Sequence, residues 1–138
     1  MEYLDIQHVL AMHEVLIEKY GGLHGVRDNG LLDSALSQPQ QSAFGEDIFT
    51  DIPSKAAAYA YYLSENQPFL DGNKRIATAA SVTFLRLNDY DLNALEKDVY
   101  DIIMDLANKH LTRESLVKWF QKNSAKKDEE RANARKIS

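Results

Sequence analysis

The run "IATAASVTFLRL", residues 76–87, is apolar or small on nearly every side of a helix. A helix without a polar stripe cannot rest on a surface and has to be enclosed by others, so the fold is organised around this segment. What precedes it is unlike the usual approach to a buried helix. The stretch "QPFLDGNKR", residues 67–75, ends in an acid, a glycine, an amide and two cations.

Other segments supply the enclosure. Ile6, Val9, Leu10, Met12, Leu16 and Ile17 recur at three- and four-residue spacing, which predicts a helix from Ile6 to Tyr20 that Gly21 and Gly22 end. Asp28-Asn29-Gly30 reads as a turn into a short helix from Leu31 to Ser37, with Pro39 as its stop. Pro53 suits the first turn of a helix beginning near Ile52, on which Tyr59, Tyr61 and Tyr62 read as core packing with hydroxyls at its margin. After a polar connection, "NDYDLN", a helix carries Val99, Ile102, Ile103 and Leu106 on one face. A last helix is capped by Thr112 and packs Leu116, Val117 and Phe120. Only residues 40–51, "QQSAFGEDIFTD", lack helical periodicity and suggest a loop or short β-hairpin. The expectation is an all-α fold: one domain, residues 1–122, of about six helices with a short β-hairpin. A polar tail, residues 123–138, follows as a helical extension or disordered.

Composition excludes several classes. A chain of 138 residues suits one domain, and the absence of cysteine removes disulfides and thiolate metal sites and favours a reducing cytoplasm. No apolar run approaches the ~18 residues of a membrane span, and the first ten residues do not read as a signal peptide. The net charge of −5 argues against broad binding to nucleic acid. The four histidines, His8, His13, His24 and His110, form no His-x-x-x-His pair and read as surface or packing residues rather than ligands. Gly25 and Gly30 have P-loop spacing, but Leu31 and Leu32 stand where Lys and Ser/Thr are required.

Taken on its residues alone, the loop admits two readings. Asp71 stands where a helix N-cap would be, and the main-chain N–H groups of Asn73 to Arg75 would be the unpaired donors of the first turn. Lys74 and Arg75 lie at the positive end of the helix dipole, where cations are disfavoured unless an anion compensates them. Phosphate would be such an anion, with magnesium shared between Asp71 and the phosphates. The other reading is an Asp cap followed by solvated cations.

Residues 67–75 resemble the signature loop of the Fic/Doc (Fido) family, "HPFxDGNKR", at every specified position but the first. The resemblance extends from about Tyr3 to Phe120 through "GVRDNGLLDSALSQPQ", "AFGEDIFTD" and "AAAYAYYLSENQPF". Lys74, in place of the glycine of typical Fic loops, makes it closest to the death-on-curing (Doc) branch. The resemblance implies a single Fido-type helical domain in which Asp71 ligates magnesium and Gly72, Asn73, Lys74 and Arg75 cradle the phosphates of ATP or another nucleoside triphosphate. Phe69 would be a buried anchor. Phe44, Gly45, Glu46, Asp47, Ile48 and Phe49 would form the flap that docks the target protein as an added strand.

Family members transfer AMP or, on the Doc branch, phosphate to a protein hydroxyl, elongation factor Tu being the Doc-type target. Lys74 favours phosphate transfer over adenylylation. The resemblance implies a toxin in a bacterial cytoplasm, restrained by a separate antitoxin, since Ser124 with Asp128 and Glu129 does not match the self-restraining Ser/Thr-x-x-x-Glu-Gly/Asn helix of some Fic proteins. Gln67 occupies the place of the motif histidine that takes the proton from the target hydroxyl. An amide cannot act as a general base, so the chain is expected to be inactive or impaired. Either glutamine replaced histidine so that a toxin could be produced harmlessly, which is the favoured reading, or the chain is a pseudoenzyme that still binds nucleotide or peptide.

Overall fold

In the computed structural model, which describes residues 1–127, the helices run α1 (Ile6–Tyr20), α2 (Asn29–Ser37), α3 (Ile52–Asn66), α4 (Asn73–Leu87), α5 (Glu96–Ala107) and α6 (Arg113–Lys122). A 3₁₀ turn, Gln38–Gln40, follows α2. Strands β1 (Ser42–Ala43) and β2 (Glu46–Asp47) make a hairpin before α3, and β3 (Tyr90–Leu92) pairs antiparallel with β4 (Ser124–Lys126).

α4 is central, as its composition requires. It packs most extensively on α3, and the pair is flanked by α1 and α5 against α4 and by α2 and α6 against α3. Both central helices are rich in buried small residues, Ala56, Ala57, Ala58 and Ala60 on one and Ala77, Ala80 and Ser81 on the other. Small side chains let helix axes approach closely. Larger groups fill the ends: the Phe84 ring lies 4.9 Å from that of Tyr59 and 6.1 Å from that of Tyr3.

Local signals set the helix starts. Asp5 accepts from the His8 N–H at 2.8 Å, Asp28 from Leu31 at 2.9 Å and Thr112 from Ser115 at 3.1 Å. α2 therefore begins at Asn29, two residues before the expected Leu31. Asp51 and Ser54 form a reciprocal capping box, with Pro53 in the first turn of α3.

Two expectations are corrected. Asp71 does not cap α4: the cap is Gly72, at φ 72°, which has no side chain to bond the first turn, and at this helix end the Asp71 carboxylate reaches only the N–H of Gly72 itself. The polar connection after α4 contains a strand, and its partner β4 begins the tail. Ser124–Lys126 are therefore neither a helical extension nor disordered, because strand pairing with Tyr90–Leu92 satisfies their main-chain groups. Ser124 consequently lies on no inhibitory helix, and residues 128–138, Asp128 and Glu129 among them, fall outside the described residues.

Buried Tyr59 ties the N-terminal segment to the core, its hydroxyl accepting from the Leu4 N–H at 3.0 Å. Burial pushes this hydroxyl up from its ordinary 10.0 to about 12, with the Leu4 hydrogen bond pulling the other way. A pKa raised by folding confers stability that is whole below pH 10 and is lost as pH rises through 12. The melting temperature should therefore fall between pH 10 and 12. Tyr59→Phe should start lower by about 1–3 kcal/mol, for the unpaired Leu4 N–H, and show a shallower alkaline decline. Thermal melts of both proteins at stepped pH check this.

Candidate functional site

The loop joining α3 to α4 is held in an unusual backbone path. Gln67 ends α3 in the left-handed region, φ 47° and ψ 57°, which is costly for a residue with a side chain. Arg27 secures it: Nε donates to the Gln67 carbonyl at 2.8 Å and Nη2 to the Asn66 carbonyl at 3.0 Å. A guanidinium at a helix C-terminus also complements the dipole. The Arg27 and Asp28 N–H groups donate to the Pro68 carbonyl at 2.7 and 3.1 Å, and the Leu70 N–H donates to Gly25 at 3.1 Å. Residues 25–28 thus run beside 67–70 as a short antiparallel bridge, Val26 opposite Phe69.

Phe69 is buried, and its ring stacks on that of buried His13 at 3.8 Å and 11°. His13 Nε2 lies 2.8 Å from the Asp71 carbonyl, so this nitrogen carries the proton and donates. Asn73 grips Phe69 from the other side. Its Nδ2 donates to the Phe69 carbonyl at 3.1 Å and its Oδ1 accepts from the Phe69 N–H at 3.0 Å. The Asn73 side-chain amide, expected to face a phosphate, is therefore committed to the loop, which leaves its main-chain N–H for any ligand.

At α4 the first main-chain bond runs from the Ile76 N–H to the Gly72 carbonyl at 3.0 Å. The N–H groups of Asn73, Lys74 and Arg75 precede it, so the helix directs unpaired donors outward. The exposed Asp71 carboxylate accepts from its neighbour Gly72 at 3.0 Å and from the Leu23 N–H at 3.2 Å. Gly22 permits that approach: at φ 117°, a side chain there would put Cβ 2.8 Å from Asp71 Oδ2. Asp71, Gly72, Asn73, Lys74 and Arg75 line one cleft of about 200 Å³ with Leu16, Ile17, Gly21 and Tyr100. Lys74 has no ion-pair partner among the described residues. The Arg75 guanidinium lies 3.7 Å from the Tyr20 ring and 5.0 Å from the Tyr100 ring. No group of three His, Cys, Asp or Glu able to hold a metal exists among the described residues. One exposed carboxylate beside free N–H donors suits magnesium, which keeps its waters and shares ligands with phosphate, and would not suit a zinc or calcium cage.

Gln67 lines a second cavity of about 220 Å³ with Ser64, Leu70 and Ala107, and Asp71 to Lys74 form its other wall. The Gln67 side chain is exposed. The structure thus brings Gln67 and residues 71–75 together around one loop. The hairpin stands apart, and none of residues 42–49 lines either cavity. At its tip Phe44 and Gly45 both have positive φ, 55° and 82°, as a type I′ turn requires. Phe44, Glu46 and Ile48 are exposed, and Asp47 pairs with Lys55 at 3.1 Å. Phe49 is a correction to the expected docking set: it is only 5% exposed and roots the hairpin in the protein, so it offers no surface to a partner. Arg27, His13, Gly22 and Lys55 were not singled out as site residues in the sequence, because each acts across 8 to 58 positions of chain.

Residues 3–85 match the Fic/DOC family. The chain is 42% identical over 113 residues to the protein named Toxin Doc of Mycolicibacterium smegmatis, covering 82% of this chain and 83% of that protein. It is 32% identical over 88 residues to the protein named Protein kinase doc of Escherichia phage P1, covering 64% of this chain and 69% of that protein.

The loop geometry separates two neighbouring polar residues. Asn73→Ala removes both bonds to Phe69 and should destabilise the protein by about 1–3 kcal/mol. Lys74→Ala removes no ion pair and should fall within about 0.5 kcal/mol of the parent. Urea unfolding midpoints of the two variants test the distinction.

Proposed function

Because the chain belongs to the Fic/DOC family, on its Doc branch, we propose that it is the toxin of a toxin–antitoxin pair. In this reading it transfers phosphate from ATP or another nucleoside triphosphate to a hydroxyl of a cytoplasmic target protein, elongation factor Tu foremost, and Gln67 leaves the present chain inactive or impaired. The observation that carries this reading is the convergence of Asp71, Lys74, Arg75 and three unpaired N–H groups on one cleft at the start of α4. Two cations at the positive end of a helix are stable together when an anion joins them.

The residues divide the chemistry. The main-chain donors of 73–75 and the ammonium of Lys74 bind phosphate oxygens, and the charge that builds on those oxygens during transfer is offset by donors already in place. Asp71 would hold magnesium, which when bound neutralises phosphate charge. Arg75, with its guanidinium close to the rings of both Tyr20 and Tyr100, is limited in its motion and adds its charge to the cleft it lines. Transfer forms a bond between the target oxygen and the γ-phosphorus, breaks the bond to the β-phosphate oxygen, and releases a nucleoside diphosphate and the hydroxyl proton. That proton needs an acceptor at position 67. The glutamine amide can orient the hydroxyl but cannot take the proton, which costs about 10²–10⁴ in rate. Restraint comes from a separate antitoxin protein.

Two experiments test this. Gln67→His should arrest bacterial growth and move label from γ-labelled ATP to purified elongation factor Tu. Label moved from the α-position would instead make the protein an adenylyltransferase, and no transfer by a folded Gln67→His protein would refute the reading. Calorimetry on the unaltered chain should detect ATP binding that requires magnesium and weakens at least about tenfold in Asp71→Ala or Lys74→Ala, in line with loss of a charge-assisted bond.

A further inference from the structure

We infer that Lys55, an α3 residue far in sequence from the phosphate cleft, is the positioning residue of the hairpin Ser42–Asp47 and fixes how that hairpin is presented. Lys55 is 3% exposed, although lysine is rarely buried unless paired. Its Nζ donates to the Asp47 carboxylate at 3.1 Å and to the Pro39 carbonyl at 3.3 Å, and it sits 5.5 Å from the centre of the Tyr3 ring. One ammonium therefore joins the second strand of the hairpin, the turn leading into the first strand, the N-terminal segment and α3.

The hairpin needs such an anchor. It has two residues in each strand, with only Ser42 opposite Asp47 and Ala43 opposite Glu46, and all four residues are exposed. A lone pair of strands is marginal in water even when longer than this. Phe49 roots the chain just after the hairpin, but a buried ring holds position without fixing direction. The ion pair supplies direction. Asp47 is half-exposed while Lys55 is buried, so the carboxylate is drawn down onto a fixed post rather than the reverse. A buried ammonium left without Asp47 would keep only a single carbonyl partner, which makes the attached state of the hairpin the one the protein strongly favours. With Asp47 held, the I′ turn carries the exposed Phe44 ring outward at a set angle.

The inference rests on the proposed function only in taking the hairpin as the surface that docks the target; the anchoring itself is a property of this chain alone. Asp47→Asn keeps the shape of an exposed side chain and removes its charge, and Lys55→Met keeps the apolar stem and removes the ammonium. Hydrogen exchange followed by mass spectrometry on the whole protein should show amides of 41–48 exchanging at least about tenfold faster in both variants, with α3 and α4 unchanged. In the Gln67→His background the same substitutions should raise KM for purified elongation factor Tu, with kcat and KM for ATP little altered. Unchanged exchange of 41–48 in Asp47→Asn overturns the inference, whatever Lys55→Met does to the fold. Faster exchange without any transfer by the Gln67→His parent would leave the anchor standing and remove the proposed reaction instead.

Discussion

Everything at the candidate site depends on how Phe69 is seated. Its ring lies flat on His13 and its two main-chain groups are both bonded by Asn73, so the residue is fixed from below and from the side at once. That leaves the neighbouring turn no slack. His13 reaches past the ring to the Asp71 carbonyl, and Gly72 starts α4 from the left-handed region. The direction of the α4 donors, the position of the Asp71 carboxylate and the cleft they share follow from this one packed contact.

The electrostatics at the two helix ends are opposite in kind. At the end of α3, Arg27 bonds two terminal carbonyls and complements a negative dipole, an arrangement that is complete without any ligand. At the start of α4, cations face a positive dipole and Lys74 has no counter-charge among the described residues. The first arrangement stabilises the fold. The second is sustained because Phe69 and Asn73 hold the loop tightly enough for the repulsion to be carried, which is how strain accumulates at sites that act on ligands.

Much of the fold was legible in the sequence because its signals are local. The three- and four-residue spacing of Ile6 to Ile17, the encircling apolar surface of residues 76–87, Pro53 in the first turn of α3 and the cap at Thr112 each operate within a few residues. Strand β4 was not legible, since "SAK" has no β pattern of its own and forms only because β3 is there to pair with. The loop 67–75 was recognisable by composition, but the work assigned to its members shifted. Asp71 looked like a cap and instead bonds Leu23 across 48 positions, and Asn73 looked like a ligand-binding amide and instead locks Phe69. Phe49 could not be separated from the exposed aromatics beside it, because burial depends on what α6 brings near, Arg113 included.

α3 connects these pieces as a ruler. Lys55 in its first turn is tied to the hairpin, and Gln67 just past its last turn is tied to Arg27, with eleven residues of unbroken helix between them, so the two lie twelve steps or ~18 Å apart along the axis. A rigid rod with both ends fastened converts sequence length into a fixed separation and a fixed angle. One inserted or deleted residue would turn one end relative to the other by ~100°. The length of this helix therefore constrains the protein as much as its composition does.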